Sequence, residues 1–178
     1  IPNFGIPYGM GEDKLVRKFV EAGNTQEQAL LFMKKHKETY PGVWAYMAEQ
    51  ERLVKRQGLQ ETPFGRRRRY AEIDNHAIRQ AYNFPIQCIA SDLTELSIVR
   101  CYNIFRELSL PTRILLTVYD SIVFDVPIPH FWETCEIVKK IMEGISFSWL
   151  VVPIVADLEA GMNWGNLKHV DLATRTLK

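Results

Sequence analysis

The stretch "LLTVYDSIVFDVP", Leu115 to Pro127, joins two apolar runs at a crease that carries a carboxylate, Asp120. Asp and Ser side chains bond nearby backbone groups, so Asp120 and Ser121 suit a tight turn. The same turn would lift a hard anionic oxygen ligand for a divalent ion to the end of a stiff hairpin. The pair by itself leaves both readings open. Three further groups have types and spacing that could do chemistry. Arg79, Asn83 and Gln87 recur at four-residue intervals, one polar tip per helical turn, with Pro85 between the last two. Arg66 to Arg69 form an unbroken cationic run. "NFGIPYGMG", Asn3 to Gly11, sets Phe4 and Tyr8 among glycines, as in a loop that lets another group come close. The histidines, His36, His76, His130 and His169, are scattered at no metal-ligand spacing and read as surface residues.

The elements that position these groups follow from the hydrophobic period. Thr25 and Gln28 stand in capping-box spacing ahead of Ala29, Leu30, Phe32 and Met33, which predicts a helix ending before Pro41 and Gly42. Val43, Trp44, Met47 and Val54 predict a second helix, capped at Gly58. The segment "ETPFGRRRRYAEID" is rich in turn formers and reads as a hinge between two lobes. From Asp74 to Leu108 the period is helical, and Pro85 predicts a short helix, a break and a long helix. After Pro111 the period falls from about 3.6 to 2, which predicts a hairpin turning at Asp120 and Ser121. An amphipathic helix follows, with Phe131, Cys135, Val138 and Met142 inward, and then a last strand through Ile154, Ala156 and Leu158. Helices followed by a helix-covered antiparallel sheet make an α+β fold.

Composition narrows the function classes. At 178 residues and 47% hydrophobic, the chain can build a core, and a net charge of +1 confines any nucleic-acid contact to a local patch. Three irregularly spaced cysteines, Cys88, Cys101 and Cys135, speak for a reducing compartment and against structural zinc. The longest apolar run, Phe147 to Val155, is far short of the ~20 residues that span a bilayer, so no membrane partner is expected.

Taken in order, the motifs resemble the family A DNA polymerases, the DNA polymerase I group. Asn3, Phe4, Gly5, Tyr8 and Gly9 match that family's "K-x-x-N-F-G-x-x-Y-G", and Val118, Asp120, Val123, Phe124 and Val126 match its "V-H-D-E-x-V-F-E-V". "YPGV" at Tyr40–Val43, "GRRR" from Gly65, "R-x-x-x-N-x-P-x-Q" from Arg79 to Gln87, "A-x-D-L" from Ala90 and "NWG" at Asn163–Gly165 fall between and after them in the family's order. The resemblance implies helical fingers over residues 1–65 and half of a palm over 66–178. It implies two-metal nucleotidyl transfer with Mg²⁺, with Asp120 as catalytic and metal-binding carboxylate. Phe4, Gly5, Tyr8 and Gly9 would meet the incoming dNTP. Arg66, Arg67, Arg79, Asn83, Gln87 and Tyr119 would meet the primer–template DNA. The tips of Arg79, Asn83 and Gln87 suit minor-groove acceptors that correct base pairs share, and the arginines suit phosphates.

The departures carry expectations too. Tyr119 stands where the family has His and Ser121 where it has Glu, which removes a carboxylate and should weaken metal binding. The family's other metal-binding Asp and its triphosphate-holding cations would precede Ile1. The chain alone is therefore expected to be inactive and to need an upstream polymerase portion, in the cytoplasm of a bacterial or phage-infected cell. A non-catalytic DNA-binding remnant is the alternative, and a helical interaction module with chance motifs is a third reading.

Overall fold

A computed structural model describes residues 2–178, apart from the side chains of Pro2 and Phe4. The chain divides into two compact units, residues 1–89 and 90–178, with the division falling inside one long helix.

The first unit opens with the single turn α1 (Pro2–Gly5), followed by α2 (Glu12–Glu21), α3 (Gln26–Thr39) and α4 (Pro41–Gln57). The capping box holds as expected: the Thr25 hydroxyl accepts from Gln28 N–H at 3.2 Å, and Thr25 N–H donates to Gln28 Oε1 at 2.8 Å. Pro41 stops α3 and starts α4, where its missing N–H costs nothing at the first helical position. Gly58 closes α4 at φ 60°, a left-handed position that glycine takes without strain. His36 is a correction to the surface reading. It is buried, and its Nδ1 accepts from Trp44 Nε1–H at 3.1 Å, so the α3–α4 packing supplies the partner that solvent would otherwise give.

Most of the arginine run, Arg67 to Arg69, lies in regular structure. Strands β1 (Leu59–Glu61) and β2 (Arg67–Arg69) form an antiparallel hairpin inside the first unit, with Gln60 opposite Arg68 and Glu61 opposite Arg67. This hairpin packs on α5 (Asn75–Glu107), whose first turn is capped by Asp74 Oδ1 accepting from Ala77 N–H at 2.7 Å. Val54, Tyr70, Ala77 and Ala81 make the core there. Helix α5 corrects the expected break: it runs through Pro85 without interruption.

In the second unit α5 ends at Glu107 and the chain enters β3 (Arg113–Val118) and β4 (Ser121–Asp125). Helix α6 (Phe131–Glu143) follows a short 3-10 turn. Cys101, Phe105, Leu110 and Val138 form the core, joined by Ile114 and Phe124 from the hairpin and by Met142 from α6. The Phe105 and Phe124 rings meet edge to face at 6.0 Å between centroids. Burial pushes the Cys101 and Cys135 thiols up to about 11, so both behave as small apolar groups. The last strand expected at 154–158 is absent. Residues 150–158 are irregular, Val151, Val152 and Val155 are exposed, and the chain instead closes with a meander of β5 (Glu159–Ala160), β6 (Lys168–Asp171) and β7 (Thr176–Leu177). Side chains of α6 take the place of a ladder there: Ala156 N–H donates to Glu143 Oε1 at 3.0 Å and Lys139 Nζ donates to Ala156 O at 2.6 Å, and β6 reaches as far as Leu158 O, at 2.8 Å.

Candidate nucleic-acid interface

A cleft of about 550 Å³ opens along the first four turns of α5. Arg79, Asn83 and Gln87 all line it, so the interruption expected at Pro85 does not take them off a common face. Tyr8, from the loop after α1, lies against the same wall, and Gln87 Nε2 donates to its hydroxyl at 3.3 Å. Gly9 brings this loop close. At φ 79° its backbone is left-handed, and a Cβ there would stand 2.6 Å from Arg79 Cγ and 3.2 Å from Tyr82 Cδ2. Gly5 ends α1, and Phe4's side chain lies outside the described residues.

The opposite side of the cleft comes from β2. Because Gln60 and Arg68 face each other in register, both point to the α5 side of the hairpin, while Glu61 and Arg67 point away. Arg68 donates to Gln80 Oε1 at 2.6 Å and lies over the Tyr70 and Phe84 rings, with 5.3 and 5.8 Å to the centroids. Arg67 is tied instead to Glu61. Arg66 holds the turn of the hairpin through its N–H, which donates to Thr62 Oγ1 at 3.2 Å. The cleft thus takes Arg68 from the run, and neither Arg66 nor Arg67 lines it. Strand alternation sets Arg68 on the face opposite Arg67 and Arg69, without saying which face meets α5.

Lys14, His76 and Gln80 also line the cleft, and Gln80 Nε2 lies 2.9 Å from His76 Nε2. Among the described lining residues there are three cations, Lys14, Arg68 and Arg79, and no carboxylate. An anionic, hydrogen-bonding, partly aromatic ligand fits such a wall: the fixed guanidinium suits a phosphate, the amides suit acceptors, and Tyr8 and Phe84 offer ring faces.

Behind the cleft, Tyr82 donates to Glu51 Oε2 at 3.0 Å, and Lys55 sits 2.6 Å from the other oxygen. The Lys55 and Tyr82 bonds hold the Glu51 carboxyl below its usual range. Burial, reinforced by the Glu51 anion, pushes the Tyr82 phenol up to about 12. Tyr46 is pushed to about 12 mainly by burial.

The second unit presents Asp120 at the exposed tip of the β3–β4 hairpin. Val118 pairs with Ser121, so the two-residue loop is Tyr119–Asp120, one position earlier than expected. The bulge between Ile114 and Leu116 shifts the register, and Ser121 Oγ closes the turn by donating to Val118 O at 2.8 Å. Tyr119 takes φ 55°, sparsely populated by side chains of its size, and stands 94% exposed. Its ring is therefore presented outward. Asp120 supplies one hard oxygen donor, but the described residues hold no group of three His, Cys, Asp or Glu able to enclose a metal ion. A divalent ion at Asp120 would draw its other ligands from water, substrate or further protein.

The sequence model of DNA polymerase family A matches residues 1–166. The chain belongs to DNA polymerase family A. It is 33% identical to the thermostable DNA polymerase I of Thermus thermophilus over 175 residues, covering 94% of this chain and 20% of that relative. It is 33% identical to the DNA polymerase of Bacillus phage SP01 over 181 residues, covering 92% of this chain and 19% of that relative. The POL domain of Pol1 from M. smegmatis, solved in complex with DNA primer-template and dNTP, superposes with a TM-score of 0.76 at 26% identity, covering 85% of this chain and 27% of that one. This family A chain thus spans about a fifth of the length of the curated relatives it matches. The α+β fold read from the period change agrees with that likeness.

Proposed function

We propose that the chain is the fingers-and-palm portion of a template-directed DNA polymerase, with residues 1–65 serving as fingers and 66–178 as palm. The observation that carries this reading is the cleft in which Tyr8, Arg79, Asn83 and Gln87 meet beside Arg68 with no carboxylate among them. Arg79, Asn83 and Gln87 read the minor-groove edge of the primer–template duplex, through acceptors common to correct pairs. Tyr8, Phe4, Gly5 and Gly9 meet the incoming dNTP. Arg67, on the side of the hairpin away from α5, and Arg66, at its turn, track phosphates, and Tyr119 reaches the primer end.

Asp120 is the catalytic and metal-binding carboxylate of this portion. Mg²⁺, when bound, supplies charge neutralisation at the transferring phosphoryl group and lowers the pKa of the attacking hydroxyl. Asp120's own part is to present an anionic oxygen from the exposed tip of a stiff hairpin. One carboxylate does not hold two ions, so the chain alone does not polymerise and works with an upstream polymerase portion, in the cytoplasm of a bacterial or phage-infected cell. That Asp120 stands without a metal-holding cluster among the described residues also favours a second reading, a DNA-binding remnant without chemistry.

Primer extension in Mg²⁺ separates the two. The chain is assayed alone and mixed with an upstream family A portion made as a second chain, each with Asp120→Asn as control. Extension only in the mixture, abolished by the substitution, is the expected result. Salt-sensitive duplex binding without extension in either sample leaves the remnant reading, and neither binding nor extension overturns both.

A further inference from the structure

Pro85 removes a hydrogen bond from the middle of α5. A proline has no N–H, so the carbonyl four residues back, that of Ala81, loses its helical donor, and the ring crowds that same carbonyl. Ala81 is itself buried, so water cannot replace the bond. The structure supplies a donor from far away in sequence. Gln60 Nε2, from β1, donates to Ala81 O at 3.0 Å.

Both donors of the Gln60 carboxamide are used by its surroundings. Its nitrogen also donates to Gln50 Oε1 at 2.6 Å, and its oxygen accepts from the Tyr70 hydroxyl. Two donors and one acceptor are thereby used in a side chain only 4% exposed. The orientation of the amide follows from chemistry, because a flipped amide would aim an acceptor oxygen at the Ala81 carbonyl. One residue further along α5, the Tyr46 hydroxyl donates to Tyr82 O at 3.0 Å. Both carbonyls at the proline turn thus receive a side-chain donor from outside α5.

We infer that Gln60 is a positioning residue of the DNA-facing cleft: its carboxamide replaces the helix hydrogen bond that Pro85 cannot make. Asn83 sits two residues before Pro85 and Gln87 two after it, so the angle of the helix at this turn sets whether both face Tyr8. Gln60 also lies opposite Arg68 in the hairpin, so the same residue that steadies α5 fixes the distance of the guanidinium from Gln80. The role assigned to the cleft rests on the proposed polymerase function, whereas the coupling between Gln60 and Pro85 does not.

The test is a double-substitution cycle on the full chain with Gln60→Met and Pro85→Ala. Methionine keeps the volume of glutamine and removes the donor, and alanine in place of Pro85 returns an N–H to the Ala81 carbonyl. Gln60→Met is expected to lower Tm by about 5 °C, and by about a third less beside Pro85→Ala, which answers one of the three bonds that methionine removes. Equal losses in the two backgrounds overturn the inference. If Gln60→Met alone does not fold, a double variant that folds supports it and one that does not overturns it. Duplex affinity, read by anisotropy of a labelled primer–template, should fall about 5-fold with Gln60→Met and recover at least partly with Pro85→Ala added. Loss of stability with unchanged affinity overturns the positioning role, and an unsubstituted chain that binds no duplex counts against the polymerase reading while the thermal cycle still decides the coupling.

Discussion

Gln87 Nε2 donates to the Tyr8 hydroxyl at 3.3 Å, joining residues 79 positions apart across the wall of one cleft. The bond is exposed, so its net worth to folding is small, about 0.5 kcal/mol. Its effect is on where the two tips sit. Tyr8→Phe keeps the ring and removes the acceptor, freeing Gln87 to swing. The expected outcome is a Tm within about 2 °C of the parent chain and a duplex affinity weaker by roughly 3- to 5-fold, measured by anisotropy at fixed salt. A Tm loss as large as that of a core substitution would show that the contact is structural.

The four arginines should not behave alike. Arg68 faces the cleft, stacked on Tyr70 and Phe84, and Arg67 is turned outward against Glu61. Arg68→Ala should weaken duplex binding about 10-fold and lower the slope of log affinity against log salt by about 1. Arg67→Ala should change affinity less than about 3-fold, because part of its charge is already answered by Glu61. Arg68→Lys should not rescue, since an ammonium does not stack as a plane on Tyr70 and Phe84. Titrating binding against salt for the three variants checks all of this.

Alkaline pH should loosen the first unit. Tyr46 and Tyr82 ionise at about 12 in the folded chain, against about 10 for an exposed phenol. The folded state therefore keeps two protons that the unfolded state gives up. Their contribution to stability is complete below the exposed-phenol range and is lost as pH rises through about 12. Absorbance at the phenolate band should show late titration of Tyr46 and Tyr82, and of Tyr70, whose phenol burial also raises, coincident with unfolding. Tyr82→Phe should remove one late phenol and shallow the alkaline loss. The same substitution removes a hydrogen bond that keeps Glu51 ionised, so it should also move acid unfolding to higher pH.

Much of the fold is written locally. The Thr25–Gln28 capping box, Pro41 at the start of α4, Gly58 at its end and the Cys135–Val138 stripe of α6 each act through bonds and faces within a few residues, so a reader of the sequence meets cause and effect together. Asp120 near the hairpin tip was legible for the same reason, since period alone brings it to an end, whereas the row Arg79, Asn83, Gln87 was legible only as a spacing, because Pro85 was expected to break its common face. The continuity of α5 was not. Proline's local cost is real, about 3 kcal/mol in a helix interior, and what offsets it is a glutamine from β1 and a tyrosine from α4. Burial of His36 against Trp44 and the inward turn of Arg68 rather than Arg67 are decisions of the same kind. The sequence by itself determined the helices, the hairpin and the family to which their motifs belong. Tertiary structure alone decided which arginine enters the cleft and whether the helix survives its proline, because strand register and a buried carbonyl's donor are both set by partners remote along the chain.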